Sequence, residues 1–318
     1  MSVVVFSRNF QRLQGGHLKV FHYFEHVRSS PSHEARVSLS PDSVWDASNP
    51  WWNLPETVIQ PGEDAQADVL FLAGLNWSTL DPQQRAAPPL PIINLIQYYP
   101  LPGRNGPLNQ YLEHPAIRIC VSPEIEEALR GRGSVAGPIF TIPIGVDLEQ
   151  LPPPRPAGER DIDCVVLAIK DRPLGQRIAK RVSAAGYRVL LIDEPLPRVE
   201  LLEAMARARV TVHLPSSVEG AYLPALESMA LGAAVVCPDC VGNRSFCRDG
   251  ETCLVPKRKE RAMTEAALTL LRASADELEP MLAAAREESA GRTLDAERTR
   301  FLAILDRVEE LWAARERG

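Results

Sequence analysis

Short apolar runs alternate with stretches of helical periodicity along the whole chain. Val3-Val4-Val5-Phe6 opens as a strand, and Leu18, Phe21, His22, Phe24 and Val27 then recur at helical spacing. Between them lies Gln14-Gly15-Gly16-His17, a turn in which glycine lets backbone approach a ligand closely. Further strands are predicted at residues 35–39, 68–72, 92–96 and 117–121. Ser122 and Pro123 read as the N-cap and first position of a helix running through Leu129. Residues 140–147 close the first half. Leu151-Pro152-Pro153-Pro154-Arg155-Pro156 then forms a stiff, non-helical connector. The alternation restarts with a strand at 164–169, a helix from about Leu174 and strands at 188–192, 210–214 and 233–236. This pattern predicts an α/β chain of two doubly wound domains, residues 1–155 and 156–292. The tail, residues 293–318, reads as helix, with Phe301, Ile304, Leu305, Val308, Leu311 and Trp312 on one stripe.

Composition narrows the setting. At roughly 150 residues per domain, 318 residues agree with two domains. A net charge of −6 does not recommend nucleic acid as a partner. No apolar run approaches the roughly 18 residues needed to span a bilayer, and the chain opens on a strand rather than on a signal-peptide core. A cytoplasmic protein is expected, with peripheral contact to the inner face of a membrane left open. Cys237, Cys240, Cys247 and Cys253 have a spacing that zinc accepts, but they fall where buried small residues are needed, so no metal site is assigned. His22 and His26 lie one helical turn apart without the glutamate a zinc protease needs, and Asp161-Ile162-Asp163 reads as the lead-in to a strand.

The densest chemistry lies in Glu219-Gly220-Ala221-Tyr222-Leu223-Pro224-Ala225-Leu226-Glu227. Two carboxylates flank the predicted start of a helix, between two apolar runs. Pro224 suits a first helical turn, and the amides of Tyr222 and Leu223 are then expected to point outward with the positive end of the helix dipole behind them. That is an anion site suited to a diphosphate. Glu227 is expected in the first turn, able to accept hydrogen bonds from hydroxyls.

Residues 216–256 resemble the C-terminal half of retaining GT-B glycosyltransferases, glycosyltransferase family 4 above all. The resemblance rests on Glu219 and Glu227 with seven residues between them, Ala230-Leu231-Gly232, Val235-Val236, Gly242-Asn243, Asp249-Gly250-Glu251 and Leu254-Val255-Pro256. It implies a GT-B fold of two Rossmann-like domains facing a central cleft, with the C-terminal helix crossing back to the N-terminal domain. It also implies transfer of a hexose, with retention, from a UDP- or GDP-type donor to a hydroxyl acceptor, with neither cofactor nor metal. In such a site Glu219 orients the donor sugar, Glu227 holds the ribose, and Gly220, Tyr222, Leu223 and Asn243 lie against the donor. Lys170 is the first candidate to neutralise the departing diphosphate, with Arg172 beside it, although their spacing departs from the family's Arg and Lys. Gly15 and Gly16 are expected to face the donor phosphates. Gln97 stands where many members of the family carry His, and with Trp51 and Trp52, in a polar aromatic loop that includes Trp45, it is assigned to the acceptor side. Acceptors in view are a glycan, a lipid-linked glycan or a small molecule. A non-catalytic GT-B subunit that binds nucleotide sugar is the alternative reading.

Overall fold

The computed structural model describes residues 1–12, 15–59, 66–100 and 107–314. Residue 14 of the Gly-Gly turn and residues 101–106, in the stretch 100–107 that the sequence predicts as a long loop, lie outside the described residues. The chain divides into two compact units, Met1–Pro143 with Glu297–Gly318, and Ile144–Ala296.

The first unit is built on one parallel sheet. Its strands are β1 (Ser2–Arg8), β2 (His33–Leu39), β3 (Val58–Ile59), β4 (Val69–Ala73), β5 (Ile92–Ile96), β6 (Ile117–Cys120) and β7 (Ile139–Thr141). Their order is β3-β2-β1-β4-β5-β6-β7. β1 is apolar over consecutive positions because helices cover both faces of a parallel sheet, and Val4, Val5 and Phe6 are accordingly buried. Phe6 stacks on Phe71 at 4.5 Å and meets Phe24 edge-on at 5.5 Å. The order reverses direction at β1 and β4, which opens a crevice beyond the carboxyl ends of these strands.

The C-terminal segment from Glu297 packs within this unit. Phe301 meets Tyr23 edge-on at 4.8 Å. Glu297, buried, receives Lys19 at 2.9 Å and His26 at 3.0 Å, both from helix Gly15–Arg28. Burial alone would raise the Glu297 carboxyl; the two bases overcome this and hold it down to about 2. The apolar stripe read as one helix is two, Leu294–Leu305 and Val308–Ala314. Ser122 does precede helix Pro123–Arg130, but its side chain makes no capping hydrogen bond.

The second unit carries a parallel four-stranded sheet of β8 (Ile162–Leu167), β9 (Val189–Ile192), β10 (Ala208–His213) and β11 (Ala234–Val236), in the order β11-β10-β8-β9. Here the direction reverses between β8 and β10. Helix Arg172–Ala184 follows β8, with Asp171 as N-cap accepting from the Leu174 amide. This helix runs unusually close to the sheet. A Cβ on Gly175 would lie 2.1 Å from that of Ala168, so only glycine fits there.

Among the described residues, no helix is long and apolar enough to cross a membrane.

Candidate functional site

The second unit gathers its reactive side chains at the reversal point of its sheet. Lys170 follows β8, and Glu219 follows β10. Lys170 Nζ donates to Glu219 Oε1 at 2.5 Å, and the Ser216 amide donates to the same oxygen at 2.7 Å. The ammonium also sits 5.8 Å from the centre of the Tyr222 ring. Helix Leu223–Ala230 begins beside this group, with Pro224 in its first turn. Tyr222 is its N-cap and supplies no side-chain cap. Among the described residues, the amides of Ala221, Tyr222 and Leu223 donate to no other group. One cation, one carboxylate and a set of unused helix-terminal donors are therefore assembled together. Such a set stabilises an oxyanion by charge and by oriented amides.

The backbone that carries Glu219 is tightly held. The Glu219 amide donates to the Cys240 carbonyl at 2.9 Å. Val241, opposite Glu219, has φ of 68°, a region that β-branched residues avoid. Gly242 then lies flat against the Glu219–Gly220 peptide: a Cβ on it would fall 2.4 Å from the Gly220 carbonyl carbon. Asn243 fixes this turn from within. It is buried, accepts from the Cys240 amide at 3.1 Å, and donates to Cys237 Sγ at 3.3 Å and to the Pro238 carbonyl at 3.0 Å.

Glu227 does not lie in the first turn. It is the fifth residue of its helix, 1% exposed, and accepts from Arg198 Nη2 at 2.7 Å. The helix starts at Leu223, one residue before Pro224, so Glu227 falls just beyond the first turn. Alongside it, His213 at the end of β10 is fully buried, with Nε2 between Thr211 Oγ1 at 3.0 Å and Ser228 Oγ at 3.1 Å. Burial pushes this imidazole down to about 3, so it is neutral near pH 7 and serves to join strand to helix.

Arg172 is directed elsewhere. Its guanidinium donates to the Asp193 carbonyl at 3.1 Å and to Glu194 at 3.0 Å, not to the Lys170–Glu219 group. The four closely spaced cysteines are buried with Tyr222, Leu226 and Phe246 in one apolar cluster.

In the first unit, Gly15 and Gly16 open helix Gly15–Arg28, and Gln97 lies beside them. Gln97 Nε2 donates to the Gly16 carbonyl at 3.2 Å, and a Cβ on Gly16 would meet the Gln97 amide at 3.7 Å. Trp51 and Trp52, adjacent in the expected acceptor surface, are separated by the fold. Trp51 is 0% exposed and packs edge-on against Phe21 and Phe24, so its ring presents no face to a ligand. Trp52 is 40% exposed and leans on Trp45, with ring centres 5.4 Å apart.

Residues 158–273 match the family model described as Glycosyl transferases group 1. No curated protein sequence matches the chain. Among solved structures, sucrose-phosphate synthase from Thermosynechococcus elongatus is 16% identical, with a TM-score of 0.71 over 99% of this chain and 100% of that one. HepE from Anabaena, in complex with UDP-glucose, is 12% identical, with a TM-score of 0.75 over 96% of this chain and 100% of that one. A glycosyltransferase from Rickettsia africae gives a TM-score of 0.66 at 10% identity, over 96% and 98% of the two chains.

The fold is of the GT-B type.

Two residues of this GT-B chain lie outside the sequence expectations. Arg198 pairs with Glu227 across 29 residues, and nothing near Pro197 marks it. Arg8, at the carboxyl end of β1, is buried in the first unit and binds Asn76 and His17. A charged residue ending an otherwise apolar parallel strand is a readable sign of a ligand crevice.

Proposed function

We propose that this chain is a retaining glycosyltransferase that moves a hexose from a nucleoside-diphosphate sugar to a hydroxyl acceptor. The observation that carries the reading is the Lys170–Glu219 pair at the unused amides of Ala221–Leu223, beside the buried carboxylate of Glu227. The match of residues 158–273 to a glycosyltransferase family supports it.

In this reading the donor diphosphate takes the helix amides and draws Lys170 from Glu219. The carboxylate released from the ammonium then faces the sugar. It orients the hexose and stabilises positive charge as the bond between the anomeric carbon and the phosphate oxygen breaks. The acceptor oxygen bonds to the same face of that carbon, and its proton passes to the departing phosphate. Lys170 and the helix dipole meet the charge growing on that phosphate, so no metal is required by the proposal. Glu227 accepts from the ribose hydroxyls, with Arg198 fixing its carboxylate. Asn243 acts through the turn behind Glu219 as a positioning residue. Gly15 and Gly16 are assigned to the donor phosphates and Gln97 to the acceptor side, with Trp52 as an exposed aromatic face. A cytoplasmic setting belongs to the same proposal and is supported by six unpaired, buried thiols.

The test is a panel of UDP- and GDP-hexoses offered to the full chain, with release of nucleoside diphosphate followed for wild type, Glu219→Ala and Glu227→Ala. One donor turned over by wild type and lost in both variants is expected, with the product anomer matching the donor. Donor binding without turnover would replace the enzyme with a nucleotide-sugar-binding subunit.

A further inference from the structure

The first unit holds a cavity of about 1040 Å³ at the reversal point of its own sheet, beyond the carboxyl ends of β1 and β4. Its walls include Arg8, Gly16, His17, Asn76, Thr79 and Gln97. Arg8 is only 4% exposed, yet among the described residues no carboxylate pairs with it. Nη1 donates to Asn76 Oδ1 at 2.7 Å and Nη2 to His17 Nδ1 at 2.7 Å. Both partners are neutral. The Nε–H is buried with no partner among the described residues. Burial pulls the guanidinium down to about 10, with no nearby anion to restore it.

A buried, unpaired guanidinium is costly, and proteins keep one where an anion arrives to pair with it. The other buried arginine of this unit makes the contrast. Arg118 is enclosed by the carbonyls of Tyr111, Leu112 and His114 and by Asn94 Oδ1, and its charge is solvated by the protein itself. Arg8 has no such shell and lines open space instead.

The surroundings add donors. Because Arg8 donates to His17 Nδ1, the imidazole proton sits on Nε2, which has no partner among the described residues. Burial, and then Arg8 itself, push His17 down to about 4, so it stays a neutral donor. Helix Gly15–Arg28 starts at the same wall, with Gly16 and His17 in its first turn. Asp42 is the one carboxylate among the lining residues, and it is exposed and bound by Asn9 Nδ2 at 3.0 Å. Among the described residues of the first unit, the other buried lysine and arginine are Lys19, paired with Glu297, and Arg118, whose two Nη atoms are held by four oxygens although its Nε, like that of Arg8, has no partner.

We infer that this cavity binds an oxyanion carried by the acceptor, a phosphate or carboxylate held by Arg8 and by the start of helix Gly15–Arg28. The inference rests on the transferase reading for the word acceptor; the anion site itself rests on Arg8. It narrows the acceptor from any hydroxyl compound to an anionic one, such as a sugar phosphate.

The test titrates the full chain with inorganic phosphate, glucose 6-phosphate, glucose and, separately, UDP, read by calorimetry and thermal unfolding. Phosphate and glucose 6-phosphate are expected to bind and to raise the melting temperature, and glucose is not. Arg8→Gln should weaken both anions by about tenfold or more. It should leave UDP affinity unchanged, and it should melt no lower than wild type, since it removes an uncompensated buried charge. Gly16→Leu has room at its Cβ, folds, and fills the cavity mouth; it should give the same loss. Phosphate that fails to bind wild type, or binds both variants as well as wild type, overturns the site. A parallel loss of UDP affinity in Arg8→Gln also overturns it, because the guanidinium would then serve the donor. If phosphate binds through Arg8 while no nucleotide sugar turns over, the anion site stands and the transferase reading falls.

Discussion

Replacing Gly242 by alanine places a methyl group 2.4 Å from the carbonyl carbon and oxygen of Gly220, and 2.6 Å from the carbonyl oxygen of Glu219. All three are backbone atoms, so no rotamer change relieves the contact. Opening 2.4 Å to the 3.4 Å of an ordinary contact moves the two peptides apart by about 1 Å. The Glu219 peptide resists this, since it donates to the Cys240 carbonyl and faces Val241, itself held at φ of 68°. Overpacking of this kind costs about 1–3 kcal/mol. That corresponds to a fall in melting temperature of about 2–12 °C for a unit of this size. The larger effect falls on chemistry. A shift of about 1 Å in the Glu219 carboxylate is expected to lower turnover about 10²-fold. Gly158→Ala, which meets nothing within 4 Å in the same unit, is the control and should leave both readouts unchanged. The assay pairs thermal unfolding with release of nucleoside diphosphate from the donor. Gly242→Ala with wild-type melting and wild-type turnover would refute the packing argument. A lowered melting temperature with full turnover would show that the Glu219 loop does not carry the reaction.

Three further outcomes follow from the same geometry. Lys170→Ala should lower turnover by about 10²–10³-fold, while the melting temperature stays near wild type because the Lys170–Glu219 pair is partly solvated; steady-state kinetics and a melting curve check both halves. Glu227→Gln keeps a hydrogen bond to Arg198 but loses the charge offered to the ribose, so donor affinity should fall by about tenfold or more in a calorimetric titration, with little change in melting. Glu297 has a depressed carboxyl in the folded state, near 2 against an ordinary 4.5. Its stabilising effect is therefore complete above about pH 4.5 and is lost as the pH falls toward 2. Acid unfolding of Glu297→Gln should lack that limb, and the variant should be less stable at pH 7 by about 3–5 kcal/mol because the buried Lys19 ammonium loses its carboxylate.

Much of the architecture is written in local pattern. Runs such as 92–96 coincide with β5 from Ile92 to Ile96, because a strand buried on both faces is apolar almost throughout; its one polar residue, Asn94, is buried and bonded to the Leu72 carbonyl and to Arg118. β3 escapes notice, since Val58–Ile59 is only two residues long and sits on an edge. The order of strands, and hence the two crevices, depends on pairings between residues far apart in sequence. The site is legible to the same extent. Glu219, Lys170 and the helix start at Leu223 announce themselves through neighbours in the chain. The burial of Glu227 does not, because it depends on which residue begins the helix and on Arg198 arriving from a different helix. Trp51 and Trp52 look alike in sequence, and only tertiary packing distinguishes a core ring from an exposed one. Asn243 was readable as part of a Gly-Asn turn, yet the direction of its amide, inward to Cys237 and Pro238, is set by the turn's closure on Gly220.

The central claim is that Glu219, Lys170 and Glu227 form a nucleotide-sugar donor site. Calorimetric titration of the full chain with UDP-glucose and GDP-glucose, in wild type and in Glu227→Ala, tests it most directly. The account predicts saturable binding of one of these donors by wild type and its loss in the variant. Absence of binding for both donors in wild type, or equal binding by Glu227→Ala, would contradict it.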